Sequence, residues 1–557
     1  MKSLALTLGL IIIKFTLLAQ VAPDVYYVQF TDKNNSPYSI DNPSAFLTQR
    51  ALERRERQQI PIVENDIPVN SNYLAGVAST GANLLFQTRW LNGVTIKTTN
   101  PDVLDAINAL PYVQQVRSLE EQPLRQLIKE KEFFAVEEIL PGQMPDFKSA
   151  TSANEYNYGS GFGQISQING IQLHNEGFKG EGMVIAVLDA GFIEVPTHIA
   201  FDSLWAQNRM LGTKDFVEPG GDVYSQSYHG TAVLSTIGSN VAGQLVGTAP
   251  RASFWLLRPE YVFSENLIEE YNWVSAAEFA DSVGADVINS SLGYITFDMP
   301  QHNHTYEHMN GSTCIVTIGA DIASAKGILV VNSAGNSGSN ISFPYIGAPA
   351  DGFDVFSIGA VDAGGNRAPF SSIGPTFDGR LKPDVMANGF GTALASSGNT
   401  FGNGSGTSFS SPIIAGMSAC LWQANPEMTN MQIKEAIKMS ADRSNNPDVF
   451  FGFGIPDYML ANSLLTTLDQ QVPDKISLIN AYPNPSSGGI NLVTDKSVRS
   501  VSLFDLNGRL LYTTAIITNA ERELNQMMQQ IKAGVYVLRA TGPKTSEEIR
   551  LIRLDSF

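Results

Sequence analysis

Five nearly continuous apolar runs alternate with longer segments of helical periodicity in the middle of the chain. They lie in "GMVIAVLDAGF", "ASFWLLRPE", "ADVINSSLG", "GILVVNSAGNSG" and "FDVFSIGAVD", and each run is followed by a turn. Continuous apolar strands are typical of a parallel sheet that helices cover on both faces. Residues 156–467 are therefore predicted to form an α/β domain, with its chemistry at the carboxyl ends of the strands.

The flanking regions show different patterns. Residues 20–120 begin with the alternating strand "DVYYVQFTD", continue with the helical stretch "SAFLTQRALERRERQQ" and end in "VTIKTTNPDVLDAINALPYVQQVRSLEE", which predicts a small α+β domain. Residues 121–155 carry prolines among charged residues and are predicted to be a linker. Residues 475–557 contain short alternating strands bounded by turn residues, which predicts a small β-sandwich.

The length and composition fit an exported protein with several packed domains. The chain has 557 residues, 43% of them apolar, and a formal charge of −18, which argues against a nucleic-acid partner. Its start, "MKSLALTLGLIIIKFTLLAQ", combines Lys2 with an apolar run and a small residue at Ala19, so residues 1–19 are predicted to be a signal peptide. Lys14 interrupts this run, and no later stretch is apolar for the ~20 residues of a membrane span.

Export would allow disulfides, but Cys314 and Cys420 are the chain's two cysteines and form no disulfide framework. We expect two separate buried thiols, with a single bridge as the alternative.

The spacing of His302, His304 and His308 could suggest zinc. Their segment is polar and lacks a paired cysteine or carboxylate set, so we expect a solvated surface loop and no metal.

Four polar residues stand where predicted strands or helices begin or end. Asp189 ends an apolar strand, where a buried carboxylate needs a hydrogen-bond partner. His229 starts the helix in "SYHGTAVLSTIGSN", and Asn336 lies in the turn after "GILVV", where its amide could donate to an oxyanion. Ser408 lies where the loop "GNGSGTS" leads into an apolar helix, which we expect to begin at Pro412.

Each of these residues also has an ordinary structural interpretation. Ser408 could cap its helix and Asp189 its turn. His229 could be a structural residue and Asn336 a turn residue. Together, however, they supply a hydroxyl nucleophile, an imidazole base, an orienting carboxylate and an oxyanion donor, which is the set that serine catalysis requires.

The motifs around these residues resemble those of the subtilases, the subtilisin-like serine proteases. "VLDAGF", "HGTAV", "NSAGNSG" and "GTSFSSP" are similar to the aspartate, histidine, asparagine and serine motifs of that family, and they occur in the same chain order. "VGTAPRAS", "VINSSLG", "PFSSIGPTFDGRLKPD" and "GFGIPD" also fall where the family carries similar sequences. The resemblance implies a subtilisin-like parallel sheet with helices on both faces.

It also implies a role for each residue. Ser408 would attack the peptide carbonyl, His229 would accept and return the proton, and Asp189 would hold the imidazole in place. The Asn336 amide and the backbone N–H of Ser408 would bind the oxyanion. These roles require no cofactor. Calcium stabilises many subtilases, but this sequence contains no readable calcium-binding motif, and its presence is left open.

The segment Ser291, Leu292 and Gly293 resembles the substrate-binding strand of the family, where an extended peptide pairs through main-chain hydrogen bonds. Such pairing predicts broad specificity. Two residues depart from the family pattern. Ala190 follows the aspartate where the family usually has threonine or serine, which removes one hydroxyl partner of the carboxylate, and Tyr294 stands where a smaller residue is frequent.

The flanking regions resemble known companions of the family. Residues 20–120 look like a subtilase propeptide, which assists folding and inhibits the protease until it is cut away; an ordinary accessory domain is the alternative. "YPNPSSGG", "VSLFDLNGRLL" and "AGVYVLR" resemble the C-terminal sorting domain of type IX secretion substrates. That likeness implies export through the periplasm and the outer-membrane secretion machinery to the cell surface or the medium; a carbohydrate-binding β-sandwich is the alternative.

The sequence therefore predicts a secreted serine endopeptidase, made as a zymogen, that acts as a monomer on peptide and protein substrates. A catalytically degenerate surface protein that binds peptides or adheres is the alternative of a different class. A protease restricted to processing itself or one partner is a third interpretation, which the sequence does not separate from general degradation.

Overall fold

The structure, a computed structural model, describes residues 24–119, 154–471 and 479–553, without the short segments 483–489, 495–496, 506–507, 516, 533 and 544–545. The predicted signal peptide lies outside the described residues, as does the predicted linker apart from residues 154–155.

The first domain is an antiparallel sheet with helices, as predicted. Its strands are β1 (Val25–Phe30), β2 (Asn83–Thr88), β3 (Gly93–Lys97) and β4 (Val113–Ser118), in the order β2-β3-β1-β4. Its helices are α1 (Gln49–Arg57), α2 (Ser71–Ser79) and α3 (Pro101–Asn108). Helix α3 begins in the manner its sequence signals, because the Asn100 side chain accepts a hydrogen bond from Asp102 N and proline occupies the first helical position.

The two faces of this sheet have different neighbours. Val28 of β1 and Ile96 of β3 belong to an apolar cluster with Val77 of α2 and Ile107 of α3. Tyr27 points to the opposite face, because side chains alternate along a strand, and its ring lies 4.5 Å from that of Tyr271 in the second domain. The first domain therefore packs on the second through its sheet.

The second domain is built on a parallel sheet of seven strands in the order β13-β12-β11-β10-β5-β9-β6. The strands of this domain are β5 (Val184–Leu188), β6 (Met210–Asp215), β7 (Asn240–Val241), β8 (Leu245–Val246), β9 (Ser253–Arg258), β10 (Val287–Ser290), β11 (Leu329–Ser333), β12 (Phe356–Val361), β13 (Val385–Asn388), β14 (Thr392–Ser396) and β15 (Thr400–Gly404). The helices are α4 (Phe162–Ser166), α5 (Ile171–Asn175), α6 (Asp202–Ala206), α7 (His229–Gly238), α8 (Ile268–Ser282), α9 (Ile315–Ala325), α10 (Thr407–Ala424), α11 (Asn430–Met439) and α12 (Tyr458–Gln471).

Helices cover this sheet on both faces, which explains the continuous apolar strands. Ile185 and Val187 of β5 belong to a cluster with residues of α7 and α10. Val184, Ala186 and Leu188 belong to the cluster on the other face, with residues of α8 and α9. In register, β10 pairs with β5 and β11 so that its strand ends align with theirs. The predicted α/β fold is confirmed.

Two strands of the sheet and one helix start differ from the expectation. The edge strands β6 and β13 had no apolar run to reveal them, because β6 carries exposed polar residues and β13 has only four residues. Helix α10 begins at Thr407, with Gly406 as its N-cap, so the prediction of a start at Pro412 was wrong. Pro412 lies inside the helix. It has no N–H to donate to the carbonyl of Ser408, and another donor to this carbonyl is described below.

The C-terminal residues form two antiparallel sheets and one helix. The strands are β16 (Ile479–Tyr482), β17 (Asn491–Thr494), β18 (Ser500–Asp505), β19 (Leu510–Thr514), β20 (Gly534–Thr541) and β21 (Ser546–Arg553), with β16 paired to β17 and the others in the order β19-β18-β20-β21. Helix α13 (Ile517–Met528) was not predicted. Its buried Ala520, Leu524 and Met528 recur every four residues, so it packs one apolar stripe on the strands.

None of the helices within the described ranges has the length and apolar character needed to cross a membrane.

Candidate active site

Asp189 and His229 are joined directly. Asp189 follows β5, and its backbone N–H donates to Leu257 O at 3.1 Å, which fixes it at the carboxyl end of the sheet. His229 is the first residue of α7, and its Nδ1 lies 2.8 Å from Asp189 Oδ1. Both side chains are buried, at 0% and 2% exposure. Since the carboxylate can only accept, Nδ1 carries the hydrogen and the imidazole is held in a single orientation.

A glycine sets the separation of these two residues. The backbone N–H of Gly230 donates to Gly191 O at 3.1 Å, and a Cβ on Gly230 would stand 2.4 Å from that oxygen. No other residue type therefore fits this position without moving α7 away from the loop that follows Asp189. In the "HGT" sequence, the residue that carries the imidazole is followed directly by the glycine that contacts the loop after Asp189.

Ser408 is the second residue of α10 and is buried at 2% exposure. Its hydroxyl oxygen makes no hydrogen bond to any described residue. The ring of Phe409, the next residue, lies 5.8 Å from the His229 ring, so α7 and α10 meet at this point. The first turn of α10 directs free backbone N–H groups and the positive end of its dipole toward the same region.

Pro412 explains how this turn is held against the sheet. In a regular helix residue 412 would donate its N–H to Ser408 O, and proline has none. Ser291 Oγ donates to that carbonyl instead, at 2.8 Å. A further bond joins Ser411 Oγ to Asn289 Oδ1 at 3.0 Å. The start of α10 is thereby tied to the carboxyl end of β10.

Asn336 follows β11 and is oriented by the residue before Ser408. Its Oδ1 accepts from Thr407 N at 3.0 Å and from Thr407 Oγ1 at 2.9 Å. Because a backbone N–H can only donate, this contact fixes the amide so that Nδ2 points elsewhere. The position of a Cβ on Gly406 would be 3.6 Å from Asn336 Nδ2 and 3.7 Å from Ser408 N, so two donors converge beside Gly406.

The two oxygens of the Asp189 carboxylate have different surroundings. Asp189 Oδ1 accepts from Ala190 N at 2.8 Å as well as from His229. Asp189 Oδ2 is buried and has no hydrogen-bond partner among the described residues. The methyl side chain of Ala190 cannot donate a hydrogen bond to this carboxylate.

The predicted substrate-binding segment lies beside Ser408. Ser291 contacts Ser408 through the bond described above, and Asn332 Nδ2 donates to Leu292 O at 3.0 Å. Tyr294 is turned inward: it is 1% exposed, its N–H donates to Ala348 O at 2.8 Å, and its hydroxyl donates to Glu260 Oε2 at 2.8 Å. Its bulk therefore fills the interior next to the segment.

Three glutamates beside Tyr294 could contact one cation. Glu260, Glu265 and Glu269 each bring a carboxylate oxygen within 4.8 Å of the others. Glu269 also accepts from the backbone N–H groups of Tyr261 and Asn266, at 2.8 and 2.6 Å, and so holds the loop between β9 and α8. Burial, and then the charge of Glu260, raises the pKa of Tyr294 well above its ordinary value, so its hydroxyl remains a donor.

The segment of His302, His304 and His308 and the two cysteines make hydrogen bonds to residues other than Asp189, His229 and Ser408. His304 is half-buried and its Nε2 lies 2.5 Å from Glu270 Oε1, so its segment is less solvated than expected. Burial opposes the charged imidazolium, but the Glu270 carboxylate outweighs it and raises the pKa of His304. Cys314 and Cys420 are separate buried thiols, as expected, and Cys420 Sγ donates to Thr248 O at 3.2 Å.

The structure brings together all seven residues singled out by sequence: Asp189, His229, Asn336, Ser408, Ser291, Leu292 and Gly293. Sequence reasoning missed Thr407, whose backbone and hydroxyl hold the Asn336 amide. A signal existed, because Thr407 lies inside the serine motif directly before Ser408.

Comparisons with known proteins agree with this geometry. The model of the subtilase family matches residues 180–455, that of the peptidase S8 propeptide domain of Bacteroidota matches residues 25–132, and that of the secretion system C-terminal sorting domain matches residues 480–553. The C-terminal likeness indicates export, followed by release or attachment at the cell surface.

Curated relatives match about half of this chain. Subtilisin NAT of Bacillus subtilis subsp. natto is 32% identical over 306 residues, which are 54% of this chain and 71% of the relative. Subtilisin of Bacillus pumilus is 32% identical over 280 residues, or 50% of this chain and 90% of the relative. The solved structure of the prenylagaramide maturation protease PagA is 22% identical, with a TM-score of 0.42, and covers 53% of this chain and 98% of its own.

A relative at this identity, matched over most of its length, establishes the family, and the propeptide and sorting domains establish how the protein is made and where it goes. The chain belongs to the subtilase family, as a secreted serine endopeptidase that is made as a zymogen.

Proposed function

We propose that Ser408, His229 and Asp189 are the catalytic triad of this endopeptidase. The observation that carries the proposal is the buried contact of 2.8 Å between His229 Nδ1 and Asp189 Oδ1, on a helix that meets the first turn of α10. With its Nδ1 hydrogen committed to the carboxylate, the imidazole presents Nε2 as the base.

The proton steps follow from these roles. His229 Nε2 removes the hydroxyl proton as Ser408 Oγ attacks the peptide carbonyl, and Asp189 stabilises the imidazolium without taking the proton. The same imidazolium then protonates the leaving amine, and a water molecule repeats the sequence on the acyl-enzyme. Side chains of the triad supply every proton transfer, so the proposed reaction uses no cofactor.

Asn336 Nδ2 and the backbone N–H of Ser408 are the proposed oxyanion donors. Their convergence beside Gly406 supports this role, as does the fixing of the Asn336 amide by Thr407 before any substrate binds. Donors that are held in place at the start cost no reorganisation when charge develops on the carbonyl oxygen.

Peptide and protein substrates are proposed to bind along Ser291, Leu292 and Gly293. An extended peptide that pairs with main-chain groups is recognised by its backbone, so we propose broad specificity with peptide segments as the common feature. We also propose that the protein is active as a monomer.

The protein's own propeptide is the proposed inhibitor, and the outer-membrane secretion machinery is the proposed partner of the sorting domain. Leu119, the last described residue of the first domain, is fully buried in the apolar cluster that contains Leu292 and Tyr294. The described part of the propeptide therefore ends in the same apolar cluster as Leu292 of the substrate segment.

Covalent labelling tests the assignment. A fluorophosphonate should label Ser408, and Ser408→Ala should abolish labelling and lower kcat by ~10⁴-fold or more, since only the oxyanion donors and binding would remain. His229→Ala should also abolish labelling and lower kcat, and the double variant should be no slower than Ser408→Ala. Ser418→Ala removes a buried hydroxyl of the same helix, bonded to Tyr458 Oη at 3.0 Å, and is the control. Labelling of another serine in the wild-type chain would remove Ser408 from the nucleophile role.

A further inference from the structure

The first domain is also attached to the second by an arginine cluster. Asp281, on helix α8, is fully buried, and its carboxylate contacts Arg54, Arg55 and Arg89. Arg55 Nη2 lies 2.9 Å from both Asp281 oxygens, and Arg89 Nη2 lies 2.6 Å from Oδ2. All three arginines belong to the first domain, so one carboxylate of the second domain gathers three charges from the first.

Helix α1 extends this contact to the backbone of the second domain. Arg54 donates to Ala285 O and to Lys326 O, and Arg50 donates to Gly182 O at 2.8 Å and to Gly284 O at 2.9 Å. Arg50 also pairs with Asp286. At the end of α1, Gln58 donates to Gly327 O at 2.8 Å and accepts from Asn430 N at 2.9 Å.

These acceptors lie at the amino ends of the parallel strands. Gly182 precedes β5, Ala285 precedes β10, and Gly327 precedes β11. Asp189, Ser291 and Asn336 follow the carboxyl ends of the same three strands. A strand of five residues is about 16 Å long, so α1 docks one strand length away from the candidate active site.

We propose that this face, formed by Asp281, Asp286 and the amino ends of β5, β10 and β11, is a second attachment site for the propeptide. It holds the arginines of α1 after the chain between the domains has been cut, independently of the cleft. The proposal rests on the proposed role of the propeptide as inhibitor, and it assigns to α1 the retention of that inhibitor.

Burial makes this contact sensitive to the loss of one of its charged partners. Arg54 and Arg55 are 1% and 2% exposed, and ions this deeply buried are stable only with their partners in place. Removing Asp281 alone would take from Arg54 and Arg89 the carboxylate that they contact and leave Arg55 with Asp66, at 3.0 Å, which should speed dissociation strongly.

The face recognises guanidinium groups in particular. Arg54 reaches a carboxylate and two carbonyls at once, because its nitrogens spread in a planar fork. A lysine ammonium is a single point and cannot span these acceptors. Arg54→Lys should therefore weaken retention although it keeps the charge.

The dissociation rate of a cut chain tests the proposal. The full chain carrying Ser408→Ala, with the recognition sequence of a site-specific protease inserted between residues 120 and 153, is cut by that protease, and the two pieces are separated by gel filtration over time. We expect them to elute together in the parent. Asp281→Asn should raise the dissociation rate about 100-fold or more, since it breaks a buried charge network. Arg54→Lys should raise it by a smaller factor.

Glu181→Gln is the matched control, because Glu181 is exposed and pairs at 3.4 Å with Arg251 within the second domain; its pieces should separate like those of the parent. Equal rates for the parent, Asp281→Asn and Arg54→Lys would overturn the proposal. If Asp281→Asn does not fold, Arg54→Lys alone decides between the two results. The external protease makes the cut, so the outcome does not depend on Ser408 being the nucleophile.

Discussion

Asn336 illustrates how a single side chain is prepared for its proposed task. Its carbonyl end is used for structure, by accepting from Thr407, and its amino end is thereby left for a ligand. The two ends can be separated experimentally, because aspartate keeps the acceptor and loses the donor.

We predict that Asn336→Asp lowers kcat by about 10²–10³-fold and changes KM little, because the lost donor would act on the transition state. Steady-state kinetics on a short peptide substrate measure both constants. Thr466→Ala, which removes an exposed hydroxyl on α12, is the control. A rise in KM at unchanged kcat would instead place Asn336 in substrate binding.

The buried His174 lies away from the proposed triad and is expected to give the fold a specific pH dependence. It is fully buried, its Nε2 donates to Thr248 O at 2.9 Å, and its Nδ1 accepts from Tyr158 Oη at 2.8 Å. Burial lowers the pKa of His174 to about 4. The folded state therefore keeps this imidazole neutral at pH values where the unfolded chain, with a pKa of about 6.5, already binds a proton.

We predict that the stability contributed by a neutral His174 is fully present above about pH 6.5 and is lost as the pH falls toward 4. Over this interval the free energy of unfolding falls by about 3 kcal/mol through proton binding to His174 in the unfolded chain. Denaturant unfolding of the wild-type chain and of His174→Gln, measured at several pH values, should show a steeper decline in the wild type. Parallel curves would mean that His174 does not bind a proton on unfolding.

At the scale of elements, the contact between α7 and α10 brings His229 and Ser408 together. Gly416 permits it: a Cβ at this position would stand 2.1 Å from Thr248 Oγ1 and 2.9 Å from Ile237 Cγ2, the latter in α7. The close approach therefore requires glycine in the middle of a helix, where that residue is otherwise unfavourable.

We predict that Gly416→Ala lowers the free energy of unfolding by about 1–3 kcal/mol, because the added methyl group forces the elements apart. It should also lower kcat, since small displacements of a nucleophile from its base slow the reaction. Chemical denaturation and peptide kinetics test the two effects. Ser463→Ala, at an exposed position of α12, should change neither. A fully stable and active Gly416→Ala chain would show that α10 adjusts without cost.

The sequence predicts the structure correctly where a short segment carries a catalytic motif or a continuous apolar run. The four motifs fixed the positions of Asp189, His229, Asn336 and Ser408, and the continuous apolar runs revealed the central strands. The edge strand β6 escaped because half-exposed strands lack such runs. The start of α10 was placed too late because proline is most frequent in a first helical turn, and here Ser291 replaces the missing donor.

Long-range partners could not be predicted. The arginines of α1 look like the solvated face of a polar helix, yet Arg54 and Arg55 are almost fully buried. Their partner Asp281 lies more than two hundred residues away in the chain, and no local pattern connects them.

Helix α13 did have a local signal, because its buried apolar residues recur at every fourth position. The neighbouring strands alternate at every second position instead.

In the molecule as a whole, each of the three domains serves a different step in the production and action of the protease. A propeptide covers the enzyme through its sheet and its arginines, the subtilase domain carries the proposed triad, and the sorting domain indicates export. We propose that Ser408 is required both for the release of the propeptide and for the degradation of substrate.

The intact mass of the chain tests this requirement most directly. Wild-type protein and Ser408→Ala, both expressed from Gln20, are incubated with casein and weighed by mass spectrometry. We expect the wild type alone to lose an N-terminal piece ending between Glu120 and Tyr156 and to degrade the casein, while Ser408→Ala stays whole and leaves the casein intact. A Ser408→Ala chain that sheds the same piece and digests casein at the wild-type rate would contradict it.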